Sequence, residues 1–360
     1  MRRRIYLDQT HLRGHVTGIE RVTLDLFAPE ALSPHEIRPV TSRSLPGMIA
    51  AQHVALPLRA LRDRDALFLF PGFPPGPLCA LAATRCLLYV HDTFLLTRPE
   101  DLSLRSRAYM TPSFALALRW CPNLFVNSRA TGEAVRAVCA RRARVALLRP
   151  AVRDAFGLGD LPGPARYESG PPLRLLAIGT IEPRKNIPAA LALTAALNRA
   201  GVPAELHLVG RVGWGRHDFL ADPPSFLHRH GYLSDGALRN LVASCHLLLS
   251  TSKAEGLGLP LLEVQYGGLP VVAPDDPVFR EVLGASGLLI RPEDPDAAAG
   301  AVAAWIAGGG LARASAASRS NVARWNAAAA EDGARFRRFL AGDGTAYAAA
   351  GSSVAAHETV

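Results

Sequence analysis

Glu255 and Glu263 stand with seven residues between them in EGLGLPLLE, enclosing Gly256, Gly258 and Pro260. The glycines permit backbone conformations denied to other residues and let a ligand approach the amides closely. Pro260 suits the first turn of a helix and Gly267–Gly268 its end, which predicts a helix over about 260–266. Amides at a helix N-terminus favour phosphate. The two carboxylates could then hold hydroxyls at opposite ends of a phosphate-linked ligand. On a plainer reading, Glu263 complements the helix dipole and Glu255 is a surface acid.

A second candidate is GTIEPRKNIPAAL, residues 179–191. Arg184 offers a fork of donors and Lys185 a point charge, a combination suited to gripping a diphosphate. Asn186 reads as an N-cap with Pro188 in the first helical turn. Lysine occurs only at Lys185 and Lys253, the remaining basic residues being arginine. The plainer reading of this loop is a solvated basic turn paired with Glu182. A third candidate is His91, in an HD pair closing the apolar run RCLLYVHD, although a lone histidine there is more often structural.

These segments need strands to place them, because open parallel sheets bind ligands outside the carboxyl ends of their strands. Apolar runs that read as strands are RRIYLD (3–8), ALFLF (66–70), RCLLYVHD (85–92), NLFVNS (123–128) and ARVALLRP (143–150). After a Gly- and Pro-rich stretch the pattern restarts with LRLLAIGT (173–180), AELHLVG (204–210), FLHRHGY (226–232), CHLLLST (245–251) and LPVVAPD (269–275). Helical segments such as IPAALALTAALNRAG lie between them. The pattern predicts an α/β protein of two doubly wound, Rossmann-like domains facing each other across a cleft, where a ligand pocket is expected.

With 360 residues, 49% of them hydrophobic and 20% charged, the chain can bury substantial cores. No apolar run is long enough to cross a bilayer, and MRRR is followed by no apolar leader region, so a cytoplasmic protein is expected. The five cysteines are odd in number and lack metal-ligand spacing. A net charge of +9 points to an anionic partner without choosing it. No GxGxxG follows the first strand, and no GxxxxGK[ST], HExxH or GxSxG occurs, which disfavours dehydrogenase, P-loop, zincin and serine-hydrolase readings.

IGTIEPRKN, the run from HGYLSD through STSKAEGLGLPLLEVQYGGLPVVAPD, and FREVLGASGLLIRPEDP together resemble family 4 of the retaining glycosyltransferases, which have the GT-B fold. HVTGIERV (15–22), YVHDTFLL (89–96) and FVNSRAT (125–131) look like elements of its mannosyltransferase-like members. The Gly- and Pro-rich stretch 155–172 reads as the linker, taken as 161–172 between an N-terminal domain over 1–160 and a C-terminal domain over 173–320; the resemblance implies that the first takes the acceptor and the second the nucleotide-sugar donor. A helical segment at 321–341 is expected to cross back to the N-terminal domain, ahead of a mobile tail at 342–360. It also implies that Arg184 and Lys185 bind the donor diphosphate and that Glu263 bonds the ribose. Glu255 and the amides of Gly256, Leu257, Gly258 and Leu259 would hold the sugar. Gly18 would face the phosphates, His91 would lie beside the transferred sugar, and Leu233 would pack against the base. His11 and His15 make the first loop more polar than a minimal glycine loop.

The expected reaction is retaining transfer of a sugar, preferentially mannose from GDP-mannose, to a glycan or polyprenyl-diphosphate-linked acceptor. No metal and no cofactor are expected, because cationic side chains stabilise the leaving diphosphate. The arginine-, leucine- and aromatic-bearing segment 98–120 suits peripheral contact with an anionic membrane, or else a packed helix with solvated arginines. The competing readings are a GT-B-fold sugar-nucleotide epimerase and a non-catalytic polyanion-binding protein. Dispersed arginines and the lack of an RNA-binding aromatic signature speak against nucleic acid.

Overall fold

The computed structural model describes residues 2–12, 18–102, 106–168 and 170–343. His15 and residues 344–360 of the expected tail lie outside the described residues, as do residues 103–105 of the 98–120 segment. The chain divides into two compact units, one of residues 1–151 with 327–360, the other of residues 152–326. The stretch 161–172, expected as a linker, therefore falls inside the second unit.

The first unit is built on a six-stranded parallel sheet in the order β2-β1-β3-β4-β5-β6. Its strands are β1 (Arg4–Asp8), β2 (Glu36–Val40), β3 (Leu67–Phe70), β4 (Cys86–Val90), β5 (Asn123–Val126) and β6 (Arg144–Leu147). Every residue of β3, β4 and β5 is buried, which is why these strands read as continuous apolar runs rather than alternating ones. β2, EIRPV, was not expected. It carries two charges and Pro39, a residue without an N–H, and such a segment is tolerated because β2 is an edge strand.

The order of strands reverses between β1 and β3. The loops after β1, β3 and β4 thus gather at a switch point, and they carry His11, Pro71 and His91 respectively.

The second unit repeats the plan with the order β12-β11-β10-β7-β8-β9, again all parallel. Its strands are β7 (Leu173–Ile178), β8 (Ala204–Val209), β9 (Leu227–Gly231), β10 (Leu247–Leu249), β11 (Val271–Pro274) and β12 (Gly287–Ile290). The edge strand β12, only partly buried over three of its four residues, was also not expected. Helix Ile187–Arg199 buries Ala190, Leu193, Thr194 and Leu197, the single stripe that a 3.6-residue period lays against a sheet. Here the order reverses between β7 and β10, which places the loops starting at Gly179 and Ser250 side by side.

The last helix, Gly310–Leu340, is longer than the expected 321–341 segment and supplies its C-terminal part to the first unit. Phe336 packs edge-on against Phe27 and Phe125 there. The segment 98–120 is a packed element over its helix Thr111–Trp120, which buries Phe114, Ala117, Leu118 and Trp120. Among the described residues no single helix is long and apolar enough to cross a membrane.

One buried ion pair pins the last helix to its sheet. Asp332, fully buried, accepts hydrogen bonds from the backbone N–H and Nη1 of Arg149, at 3.2 and 3.0 Å, just beyond β6. Removing one partner of such a pair leaves a buried charge without its counter-ion. Asp332→Ala is therefore expected to cost about 3–5 kcal/mol of stability, measured by urea denaturation. A loss under about 1 kcal/mol, the range of exposed pairs, contradicts this account.

Candidate functional site: an ionic clamp at the switch point of the second sheet

β7 is followed by Gly179, whose φ of 144° lies where other residues rarely go. The chain turns through a short 3-10 helix, Pro183–Lys185, and Asn186 then takes a left-handed conformation, φ 50° and ψ 45°, before helix Ile187–Arg199 begins. The expected N-cap bond is not made, since the Asn186 side chain caps nothing. Asparagine serves instead as one of the few non-glycine residues that tolerate this backbone. Pro188 sits in the first turn as expected.

The loop after β10 is stitched to this one. The Thr251 hydroxyl donates to the Asn186 carbonyl at 2.9 Å, and the Lys253 N–H donates to the Arg184 carbonyl at 2.8 Å. The two loops then close on a set of charges. Lys185 Nζ donates to Glu255 Oε1 at 2.6 Å, and Arg184 Nη1 to Glu255 Oε2 at 2.7 Å. Arg184 Nη2 donates to Glu182 Oε1 at 2.6 Å and Nη1 to the Ala254 carbonyl at 3.0 Å. The Glu255 side chain is 8% exposed. Burial alone would raise its pKa, but Lys185 and Arg184 outweigh it and bring the carboxyl down to about 2. It is an anion at any physiological pH. The Glu182 pairing was foreseen as the plainer reading; the Glu255 pairing joins residues 70 apart and was not.

A recess of about 450 Å³, counting its open mouth, lies over Lys185 and Glu255, whereas Arg184 and Glu182 are not among its walls. Gly179, Lys185, Ser250, Ser252, Glu255 and Pro260 are among its walls. The serines and Thr251 are the site residues that sequence reasoning passed over. Their signal was a hydroxyl run directly after an apolar strand and directly before a glycine loop. Gly210 at the end of β8 is another omission: a Cβ there would lie 1.9 Å from the Gly179 carbonyl oxygen, so only glycine lets the two strand ends meet.

Beyond Glu255 the expected helix is present but short. An α-helical stretch covers Leu259–Glu263 and continues as 3-10 helix through Gly267, so the dipole aimed at a ligand is small beside the two cations. Gly258 adopts φ 74° immediately before it. Leu257 is buried, whereas Gly256 and Leu259 are partly exposed. Glu263 is buried at 5% exposure and does not line the recess, unlike Glu255. Leu233 is half-buried in the turn after β9.

In the first unit, His91 follows β4, and its Nε2 lies 2.7 Å from the Pro71 carbonyl. A carbonyl only accepts, so Nε2 carries the proton and Nδ1 holds the lone pair. Burial lowers the His91 pKa to about 4, only partly opposed by the Pro71 bond, and His11 lowers it further. The ring is neutral at pH 7. Gly18 is the exposed first residue of helix Gly18–Leu26, and an added Cβ there meets nothing within 4 Å.

Residues 167–321 match the family of glycosyl transferases group 1. The O-antigen chain mannosyltransferase B of Escherichia coli is 30% identical over 274 residues, covering 71% of this chain and 70% of that protein. The serotype-specific mannosyltransferase WbdA of Escherichia coli is 34% identical over 140 residues, which is 37% of this chain but 17% of WbdA, so the likeness spans a small part of that relative. Anabaena HepE, solved in complex with UDP-glucose, superposes with a TM-score of 0.62 at 17% identity, over 91% of this chain and 98% of that one. At that identity the likeness establishes the fold, which is GT-B. The chain belongs to the group 1 glycosyl transferases, with bacterial mannosyltransferases among its relatives.

Proposed function

We propose that the protein transfers a hexose, preferentially mannose from GDP-mannose, to a hydroxyl of a glycan or polyprenyl-diphosphate-linked saccharide in polysaccharide or glycoconjugate biosynthesis. The observation that carries this reading is the paired Arg184 and Lys185 at the sheet's switch point, held beside a glycine loop by a buried carboxylate. The choice of mannose rests on the O-antigen mannosyltransferase relative. In this reading Arg184 and Lys185 take the diphosphate, Glu255 and the amides of 256–259 hold the sugar, Glu263 the ribose, and Leu233 packs against the base. Gly18 and His91 are the candidate residues of the first unit. Transfer proceeds with retention and without a metal ion or cofactor, the two cations stabilising charge on the leaving diphosphate. The protein works in the cytoplasm.

The clamp adds a step to this mechanism. Arg184 and Lys185 are matched by Glu182 and Glu255, so the cluster is electrically balanced without ligand. A diphosphate is accepted only as Glu255 exchanges its two cations for hydroxyls of the sugar. Glu255 thus couples diphosphate capture to the presence of the sugar. His91, neutral and with its Nδ1 lone pair available, accepts a hydrogen bond from a hydroxyl and is too weak a base to deprotonate one.

The test begins with a panel of nucleotide sugars incubated with cell membranes and purified protein, followed by mass spectrometry of lipid-linked glycans. Consumption of none of them, with no shift in melting temperature, defeats the proposal. Lys185→Ala is expected to lower transfer by at least about 100-fold while the protein stays folded, comparable to losing one electrostatic donor in an active site. Glu255→Gln should separate two effects that a merely structural carboxylate would not. Transfer falls by a similar factor, whereas the nucleoside diphosphate without sugar binds tighter, by roughly tenfold or about 1.4 kcal/mol. Equal or weaker diphosphate binding in calorimetry refutes the exchange step.

The same carboxylate dictates an acid limb of stability. Its pKa lies below the ordinary value of 4.5, so its contribution is complete above that pH and is lost as pH falls toward 2. Thermal melts of the parent across that window should decline more steeply than those of Glu255→Gln; parallel curves remove the clamp from the energetics.

A further inference from the structure

The segments 45–62, 77–85 and 106–120 of the first unit contain five arginines and neither aspartate nor glutamate. They form the connections β2 to β3, β3 to β4 and β4 to β5, which run in the same direction across the sheet and therefore cover the same face. Helix Leu56–Arg62 packs beside the 3-10 helix Pro77–Arg85, and that in turn beside helix Thr111–Trp120. Their inner sides bury Leu56, Ala60, Cys79, Phe114 and Leu118 in the core.

Their outer sides are apolar as well. Val54, Leu58 and Leu61 are exposed on the first element, Leu78 and Leu81 on the second, and Leu116 on the third, with Leu81 reaching 70% exposure. Arg59, Arg62, Arg107 and Arg119 are exposed around them, while Arg85 is turned inward to the carbonyls of Ala60, Asp63 and Ala66. Scattered exposed leucines are ordinary, but leucines on three adjacent elements with only arginine for charge mark a docking surface.

We propose that this face docks on an anionic phospholipid bilayer, the leucines entering the interfacial layer and the arginines meeting phosphate headgroups. Charge decides the occupant. A second copy of the chain would set arginines against arginines with no carboxylate in any of the three segments to receive them, whereas lipid phosphate complements all four. The surface expected over 98–120 is thereby moved. Leu116 and Arg119 of that stretch take part, but most of the apolar surface comes from 54–61 and 78–81. The proposal stands independently of the transfer reaction and holds equally for a soluble acceptor.

The test is flotation of the full chain with vesicles of pure phosphatidylcholine and with vesicles of phosphatidylcholine and phosphatidylglycerol in equal parts. Binding is expected to the anionic vesicles only and to weaken with salt. Arg62→Ala/Arg119→Ala should lower partitioning by roughly fivefold per arginine, as expected for charges at an anionic surface. Leu58→Glu/Leu81→Glu should abolish it, and both variants should keep the parent's melting temperature and its shift with nucleotide sugar. Equal binding to both vesicle types, undiminished binding by the folded variants, or a dimer in solution that Leu81→Glu splits while vesicles are ignored, each overturns the proposal. Retention on an acidic protein surface with no flotation overturns it too.

Discussion

Glu255 is the tie on which the geometry of the second unit's candidate site depends. A parallel sheet brings the loops after β7 and β10 to one place, but adjacency alone does not fix them. The Lys185 and Arg184 contacts hold the glycine loop against the basic turn, and backbone and hydroxyl bonds from Lys253 and Thr251 add stiffness without charge. Two cations at close quarters would repel each other and stay hydrated in open solvent. A carboxylate between them, shielded from water, keeps both in one orientation. Preorganisation of this kind comes with a condition, because whatever displaces the carboxylate must offer it equivalent partners.

The two units solve the same problem with different chemistry. Both place functional candidates at the carboxyl ends of central strands, where the order reverses, and both use glycine where backbone segments meet closely. The second unit concentrates charge there. The first offers a neutral imidazole on a carbonyl, with Tyr89 against the ring at 4.9 Å, and a buried His11 bonded to Thr23. Burial decides the difference: it pushes His91 toward neutrality because no carboxylate is paired with it, whereas Glu255 keeps its charge because two cations outweigh the same penalty.

Ten strands were legible, most of them as apolar runs buried on both faces, although the edge strands β6 and β9 are only partly buried. β2 and β12 were not: β2 carries two charges and Pro39, and three of the four residues of β12 are only partly buried. The candidate residues Arg184, Lys185 and Glu255 were legible one by one from their glycine and proline surroundings. Their mutual contact was not, since a pattern along the chain carries no distance between positions 70 apart. Asn186 was identified correctly as a boundary but for the wrong reason, because a capping side chain and a left-handed backbone favour the same residue type. The family likeness could not have placed the arginine-only face, which arises from three segments that are unremarkable singly.

The near absence of lysine gives the clamp one more consequence. Apart from the α-amino group, the chain offers amine-reactive reagents only Lys253, which is exposed, and Lys185, whose ammonium is tied to Glu255. At Lys185, acylation chemistry therefore meets a nucleophile masked by its own counter-ion. It is unveiled whenever the carboxylate lets go, so the labelling rate at a single side chain becomes a clock for the opening of the site.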